Sequence, residues 1–113
     1  MTSSENIIRR RVEFTQMLVK LVIYAKSEGL NVFIDYVKRS AEDQYRLFKE
    51  GKSKCDGYKV LSRHQLGLAA DIYIVNEDGQ LDFNHNDYDK LHEYWEKMGG
   101  RKKIEWDIVH FEV

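Results

Sequence analysis

The sequence predicts an α+β fold: a small antiparallel sheet packed with about three helices, as a single domain over residues 1–113. Three observations predict it. Stretches with helical periodicity are mixed with short branched and aromatic runs, without the regular βαβ alternation of a parallel sheet. Glu77-Asp78-Gly79-Gln80 lies between two such runs and reads as a hairpin turn, which joins antiparallel strands. A chain of 113 residues, 42% hydrophobic and 12% aromatic, has material for one core and no more.

Taken in order, Ser3 or Ser4 can cap a long helix running to about Gly29. Ile7, Ile8, Val12, Met17, Leu18, Leu21, Val22 and Ala25 recur at helical spacing and predict its apolar face. The Arg9-Arg10-Arg11 run near its start reads as a solvated face rather than a phosphate-binding patch. Leu30 to Val37 reads as a strand. Ser40 caps a second helix, Ala41 to about Glu50, with Tyr45, Leu47 and Phe48 as its buried contacts, and Gly51 stops it. A loop follows to about Ser62. Ala69 to Val75 is a second strand, and the hairpin leads from it into Leu81-Asp82-Phe83. Asp87 to Met98 is a third helix, with Tyr88, Leu91, Tyr94 and Trp95 at helical spacing. Gly99-Gly100 breaks it, and Ile104 to Val113 finishes as one or two short strands, the last expected to be paired inside the sheet.

Composition narrows the function classes. A formal charge of −1 carries no nucleic-acid or anionic-membrane footprint. The single cysteine, Cys55, excludes an internal disulfide and a cysteine-rich structural zinc site, and its polar loop argues against a catalytic thiol. The first residues lack the basic start and apolar run of a secretory signal, and no apolar stretch is long enough to span a bilayer. The expectation is a protein made in the cytoplasm, monomeric, with no membrane insertion and no nucleic-acid partner.

Two stretches carry the chemistry: Ser62 to Asp71, and Trp106 to Glu112. They offer two imidazoles, His64 and His110, and the carboxylate of Asp71, with a spare carboxylate, Asp107, three residues before the second histidine. Three ligands, an open position for water and a base beside it are what a catalytic zinc site needs. Alternation along the strand puts Asp71 and Tyr73 on one face among apolar neighbours, where a carboxylate is costly unless paired or metal-bound. Gly67 would allow the close turn that brings His64 to Asp71. Taken singly, each residue also fits a blander role, as a helix cap or a satisfied core histidine. On the last strand His110 and Glu112 share a face, and Asp107 falls out of phase, in the turn before it. His85 and His92 have no matching spacing and read as surface or structural residues.

Ser62-Arg63-His64, Gly67, Ala69 and Asp71, paired with Asp107, His110, Phe111 and Glu112, resemble the zinc peptidases of bacterial cell-wall peptides. That family holds the VanY-type D-alanyl-D-alanine carboxypeptidases and the L-alanyl-D-glutamate endopeptidases, including many phage endolysins. The resemblance extends upstream through Arg39-Ser40, Gln44, Leu47 and Gly51, and downstream through the Tyr88 to Gly100 helix. It implies one Zn2+ on the sheet, held by His64, Asp71 and His110, with Asp107 as catalytic base. It implies that Arg39 holds substrate or the oxyanion, a donor role often worth about 3 kcal/mol. Ser62 would support the first ligand, and Gln44, Tyr73 and Trp106 would line or back the substrate groove, although core packing is an equal reading of Tyr73 and Trp106. Zinc would polarise the scissile carbonyl and activate water, and Asp107 would move the water's proton to the leaving amine.

The implied activity is hydrolysis of the peptidoglycan stem peptide. L-alanyl-D-glutamate endopeptidase, of phage or prophage endolysin type and released through a holin, is preferred to D-alanyl-D-alanine carboxypeptidase. Two segments depart from the family pattern: Val37-Lys38 before Arg39, and Gly99 to Trp106 before Asp107. Both fall in the groove, not in the ligand set. Glu105 competes with Asp107 for the base, but its spacing does not match. The rival from another class is a non-catalytic module of a wall-binding or phage-particle protein that keeps zinc for folding or ligand binding.

Overall fold

The structure, a computed structural model, describes residues 3–35 and 40–113, with side chains from Asn6 onward. The elements run α1 (Ser3–Ser27), β1 (Asn31–Asp35), α2 (Ala41–Lys49), α3 (Arg63–Leu66), β2 (Ala69–Val75), β3 (Leu81–Asp82), α4 (His85–Lys97) and β4 (His110–Glu112). The α+β expectation holds, with a one-turn helix, α3, added to the three long ones.

The sheet is antiparallel throughout and organised around β2. On one edge β2 pairs with β1, from Asn31 against Val75 to Asp35 against Asp71. Its other edge is shared: β3 pairs with Ile74 and Val75, and β4 with Ala69, Ala70 and Asp71. The hairpin falls where expected, with Asn76 N donating to Gln80 O. Strand alternation then sorts the side chains. Ala70, Ile72, Ile74 and Phe111 point into the core; Asp71, Tyr73, His110 and Glu112 point to the opposite face.

The core face is covered by α1 and α4. Phe14, Leu18, Leu21 and Ala25 of α1 meet Tyr88, Leu91 and Trp95 of α4 over the sheet. Those four α1 positions follow one another at intervals of one turn, so a single stripe is buried. Ile8 and Val12 were expected on that stripe and lie instead on the exposed side, with Val19 and Ile23. The sequence pattern is apolar on two sides of α1, so periodicity alone could not choose between them; Phe14 marks the true face. Arg11 corrects the solvated reading of its run: its Nε donates to Leu66 O at 2.7 Å.

In α2 the expected burial fails for two of its three residues, while Leu47 is half-buried. Ser40 caps the helix as expected, accepting from Asp43 N. Tyr45 and Phe48 are 40% and 42% exposed, whereas Gln44 is fully buried. The Gln44 amide donates to Ser53 Oγ at 2.7 Å and to Cys55 O at 2.8 Å, so the buried contact that anchors α2 to the following loop is polar, while Tyr45 meets Tyr58 of that loop edge to face at the surface. The β1 strand ends at Asp35, and the expected continuation to Val37 lies outside the described residues. No described helix is long and apolar enough to cross a membrane.

Candidate metal centre

Each candidate ligand is placed by a different device. His64 rides on α3, whose start is a capping box: Ser62 Oγ accepts from Gln65 N, and Gln65 Oε1 accepts from Ser62 N. Gln65 Nε2 also donates to Gly57 O at 2.7 Å, tying the turn to the preceding loop. Gly67 ends α3 at φ +73°, a left-handed conformation that turns the chain at once into β2. Asp71 is carried by the central strand. His110 opens β4, directly opposite Asp71 in the register.

These devices bring three donor atoms together. His64 Nε2 is 3.2 Å from His110 Nδ1 and 3.2 Å from Asp71 Oδ1; His110 Nδ1 is 3.6 Å from the same oxygen. Ligands at about 2.0–2.1 Å from a tetrahedral zinc stand about 3.3 Å from one another. The triangle therefore has the dimensions of one face of a zinc tetrahedron. His64 is 4% and Asp71 8% exposed. Asp71 Oδ1 and His64 Nδ1 are buried without a hydrogen-bond partner among the described residues. An orphaned carboxylate oxygen facing two imidazole nitrogens is the donor set a divalent cation satisfies. The residues present fit a zinc ion.

The electrostatics point the same way. Burial pushes the His110 pKa down, but the facing carboxylates of Asp71 and Glu112 outweigh it and raise it to about 9. Burial pushes Asp71 up, but His110 and His64 outweigh it and hold its carboxyl below the ordinary range. A strongly perturbed cluster in a groove is a mark of a functional site.

Asp107 sits where the sequence put it, in the turn before β4. Its carbonyl accepts from His110 N at 3.1 Å, and its charge contributes to raising His110. It lines the same groove as the triad, together with Ser62, Trp106, Cys55 and Leu61. The groove encloses about 480 Å³, a volume that accommodates small ligands. Trp106 is 79% exposed, so its ring is a groove wall and not core packing. Glu105 turns outward to Lys103, at 3.5 Å.

The remaining sequence candidates are more distant. Tyr73 shares the sheet face of Asp71 but stacks on Phe33, ring centres 5.3 Å apart. Gln44, being buried, acts on the groove only through the loop it holds. Arg39 lies outside the described residues. His85 is exposed at the start of α4. His92 is structural: Nε2 meets Ile108 O at 2.7 Å, and the ring stacks on Phe111 at 4.0 Å. Sequence reasoning gave no role to Arg63 and Glu112, whose side chains pair at 3.3 Å beside the triad. Their positions, next to one ligand and two beyond another, were the available signal.

No family model matches the chain, and no curated protein matches it in sequence. Solved structures do match in fold. The L-Ala D-Glu endopeptidase ChiX of Serratia marcescens superposes with a TM-score of 0.69 at 18% identity, over 98% of this chain and 85% of that one. The L,D-carboxypeptidase DacB of Streptococcus pneumoniae gives 0.61 at 19% identity, over 88% of this chain and 64% of that one. A mutant of the vancomycin resistance D,D-pentapeptidase VanY, in complex with Zn(II), gives 0.59 at 18% identity, over 88% and 69%. The chain thus has the fold of these peptidases and spans less than two thirds of the length of the DacB structure.

Proposed function

We propose that this protein is a zinc-dependent peptidase of peptidoglycan stem peptides, cleaving the bond between L-alanine and D-glutamate. The observation that carries the reading is the donor triangle of His64, Asp71 and His110, with edges of 3.2, 3.2 and 3.6 Å, beside the Asp107 carboxylate in one groove. The choice of bond is supported by the overlap with the L-Ala D-Glu endopeptidase, which takes in 98% of this chain against 88% for the L,D-carboxypeptidase DacB and the D,D-pentapeptidase VanY. A phage or prophage origin belongs to the same proposal and rests on the sequence resemblance.

His64 Nε2, Asp71 Oδ1 and His110 Nδ1 would hold the ion, which when bound supplies Lewis acidity to the scissile carbonyl and to the attacking water. The peptide lies in the groove, with Trp106 and Leu61 excluding solvent from its apolar parts. Asp107 accepts the proton of the attacking water and returns it to the leaving amine, so that one carboxylate serves both halves of the reaction. A site kept only for folding has no use for a carboxylate in that position.

Substitution Asp107→Ala tests the assignment. Zinc content should stay at one ion per chain while hydrolysis of purified peptidoglycan falls by roughly 10²–10⁴-fold. A preparation that keeps its rate would place the base elsewhere. Loss of zinc together with activity would make Asp107 a ligand.

A further inference from the structure

Arg63 and Glu112 face each other across the two segments that carry the histidine ligands. Arg63 immediately precedes His64 on α3; Glu112 follows His110 by two residues on β4 and shares its face. Arg63 Nε lies 3.3 Å from Glu112 Oε2, with side chains 29% and 15% exposed. The other carboxylate oxygen, Oε1, is 3.7 Å from His110 Nε2. The backbone of Glu112 is itself fixed from the opposite side, its carbonyl accepting from Trp95 Nε1 at 2.8 Å and from Arg101 N at 2.9 Å.

The other ties on α3 run elsewhere. Arg11 holds Leu66 O from α1, and Gln65 reaches back to Gly57 O. Neither touches β4. The backbone joins α3 to β4 only indirectly, with Leu68 N donating to Arg63 O at 2.9 Å and Val113 N to Leu68 O at 3.1 Å, and this leaves the side-chain separation of His64 and His110 to be set; their ring nitrogens stand 3.2 Å apart. Among the described residues, the Arg63–Glu112 pair links α3 to β4 through side chains that lie outside the donor set.

We propose that Arg63 and Glu112 form a clasp that presets the separation of His64 and His110 for a metal ion, and that Glu112 fixes His110 with Nδ1 toward the ion. Both act as positioning residues. With Nε2 of His110 facing a carboxylate 3.7 Å away, the electrostatic field favours the proton on that nitrogen and leaves the Nδ1 lone pair to the ion, the arrangement that orients and strengthens a ligand imidazole. The inference rests on the metal-centre reading above.

Charge and geometry make opposite predictions for Arg63, which allows a clean test. If Arg63 acted only through its field, removing a cation beside the site would tighten binding of a divalent ion. A clasp predicts weaker binding. The experiment is a cobalt(II) titration of the full chain, followed by the visible absorption of the bound ion, for wild type, Arg63→Gln, Glu112→Gln, the double variant and Arg63→Lys. Thermal melts of the metal-free proteins show that each variant folds. Each Gln variant should lose roughly 10–100-fold in cobalt affinity and shift the absorption band. The double variant should be no weaker than Glu112→Gln, because the two side chains act as one unit, and Arg63→Lys should recover part of the loss. Tighter or unchanged binding in Arg63→Gln overturns the clasp while leaving the metal centre standing. A wild-type chain that takes up no cobalt overturns both.

Discussion

Asp71 and His110 stand directly opposite each other across β2 and β4, and the register of that one pair brings Oδ1 to 3.6 Å from Nδ1. Two of the three candidate ligands are therefore set by backbone hydrogen bonding in the centre of the sheet. Only His64 depends on a separate turn. The site is a property of the folded sheet, and an ion bound there should stabilise that sheet.

Zinc should accordingly raise the thermal stability of the protein. At a free concentration about a thousand times its Kd, an ion that binds only the folded chain adds about 4 kcal/mol, enough to raise Tm by more than about 10 °C. Asp71→Asn should remove most of that increment, since the amide keeps the shape and loses the charge. Calorimetry with and without zinc checks this, and an increment of equal size in wild type and Asp71→Asn would exclude Asp71 as a ligand.

Gly100 should tolerate no side chain. A Cβ there would overlap Trp95 Cδ1 and Nε1, in an indole that is fully buried. The same indole donates to Glu112 O at 2.8 Å. Gly100→Ala should cost about 1–3 kcal/mol through overpacking and loosen β4 at the same time. Denaturant melts read the first effect and zinc titration the second; a stable variant with unaltered zinc affinity would contradict both.

Gly67 is constrained by its backbone. At φ +73°, with Arg11 Nε 3.1 Å from the position of a Cβ, an alanine is strained and presses on the side chain that holds Leu66 O. Gly67→Ala should destabilise by more than about 1 kcal/mol, and chemical denaturation should show it. A neutral or stabilising result would mean that α3 can end in another conformation.

His92 gives the metal-free protein a defined pH response. Burial holds its pKa below the ordinary histidine value, with Ile108 O partly opposing the shift. The unfolded chain therefore binds a proton that the folded chain refuses, so His92 costs stability as pH falls through about 6.5 and the loss levels off below its folded pKa. In chelated protein, the difference in Tm between pH 7.5 and 5.5 should be smaller for His92→Gln than for wild type. An equal or larger difference would place the pH sensitivity elsewhere.

The antiparallel hairpin and the residues that come together as candidate donors were legible, the first from local signals and the second with the help of the motif resemblance, whereas the order of the strands was not. The hairpin turn around Gly79, the alternation in Ala69 to Val75 and the glycine before β2 each follow from short-range chemistry. The burial of α1 and α2 was less legible. Ile8, Val12, Val19 and Ile23 make α1 apolar on its solvent side, and on α2 the buried contact is made by Gln44 while Tyr45 and Phe48 stay exposed. Hydrophobicity ranks residue types, but here a buried amide won its place by satisfying Ser53 and Cys55. The clasp was invisible for a similar reason: Arg63 and Glu112 are separated by most of the second half of the chain and meet only because the register of β4 on β2 brings them together.

The central claim is a zinc-dependent cut between L-alanine and D-glutamate, and the direct measurement is mass spectrometry of purified peptidoglycan after incubation with the metal-loaded protein, with and without a chelator. The account predicts new D-glutamate amino termini, abolished by chelation and restored by zinc. Intact peptidoglycan from several wall types, incubated with protein that holds one zinc per chain, would contradict it.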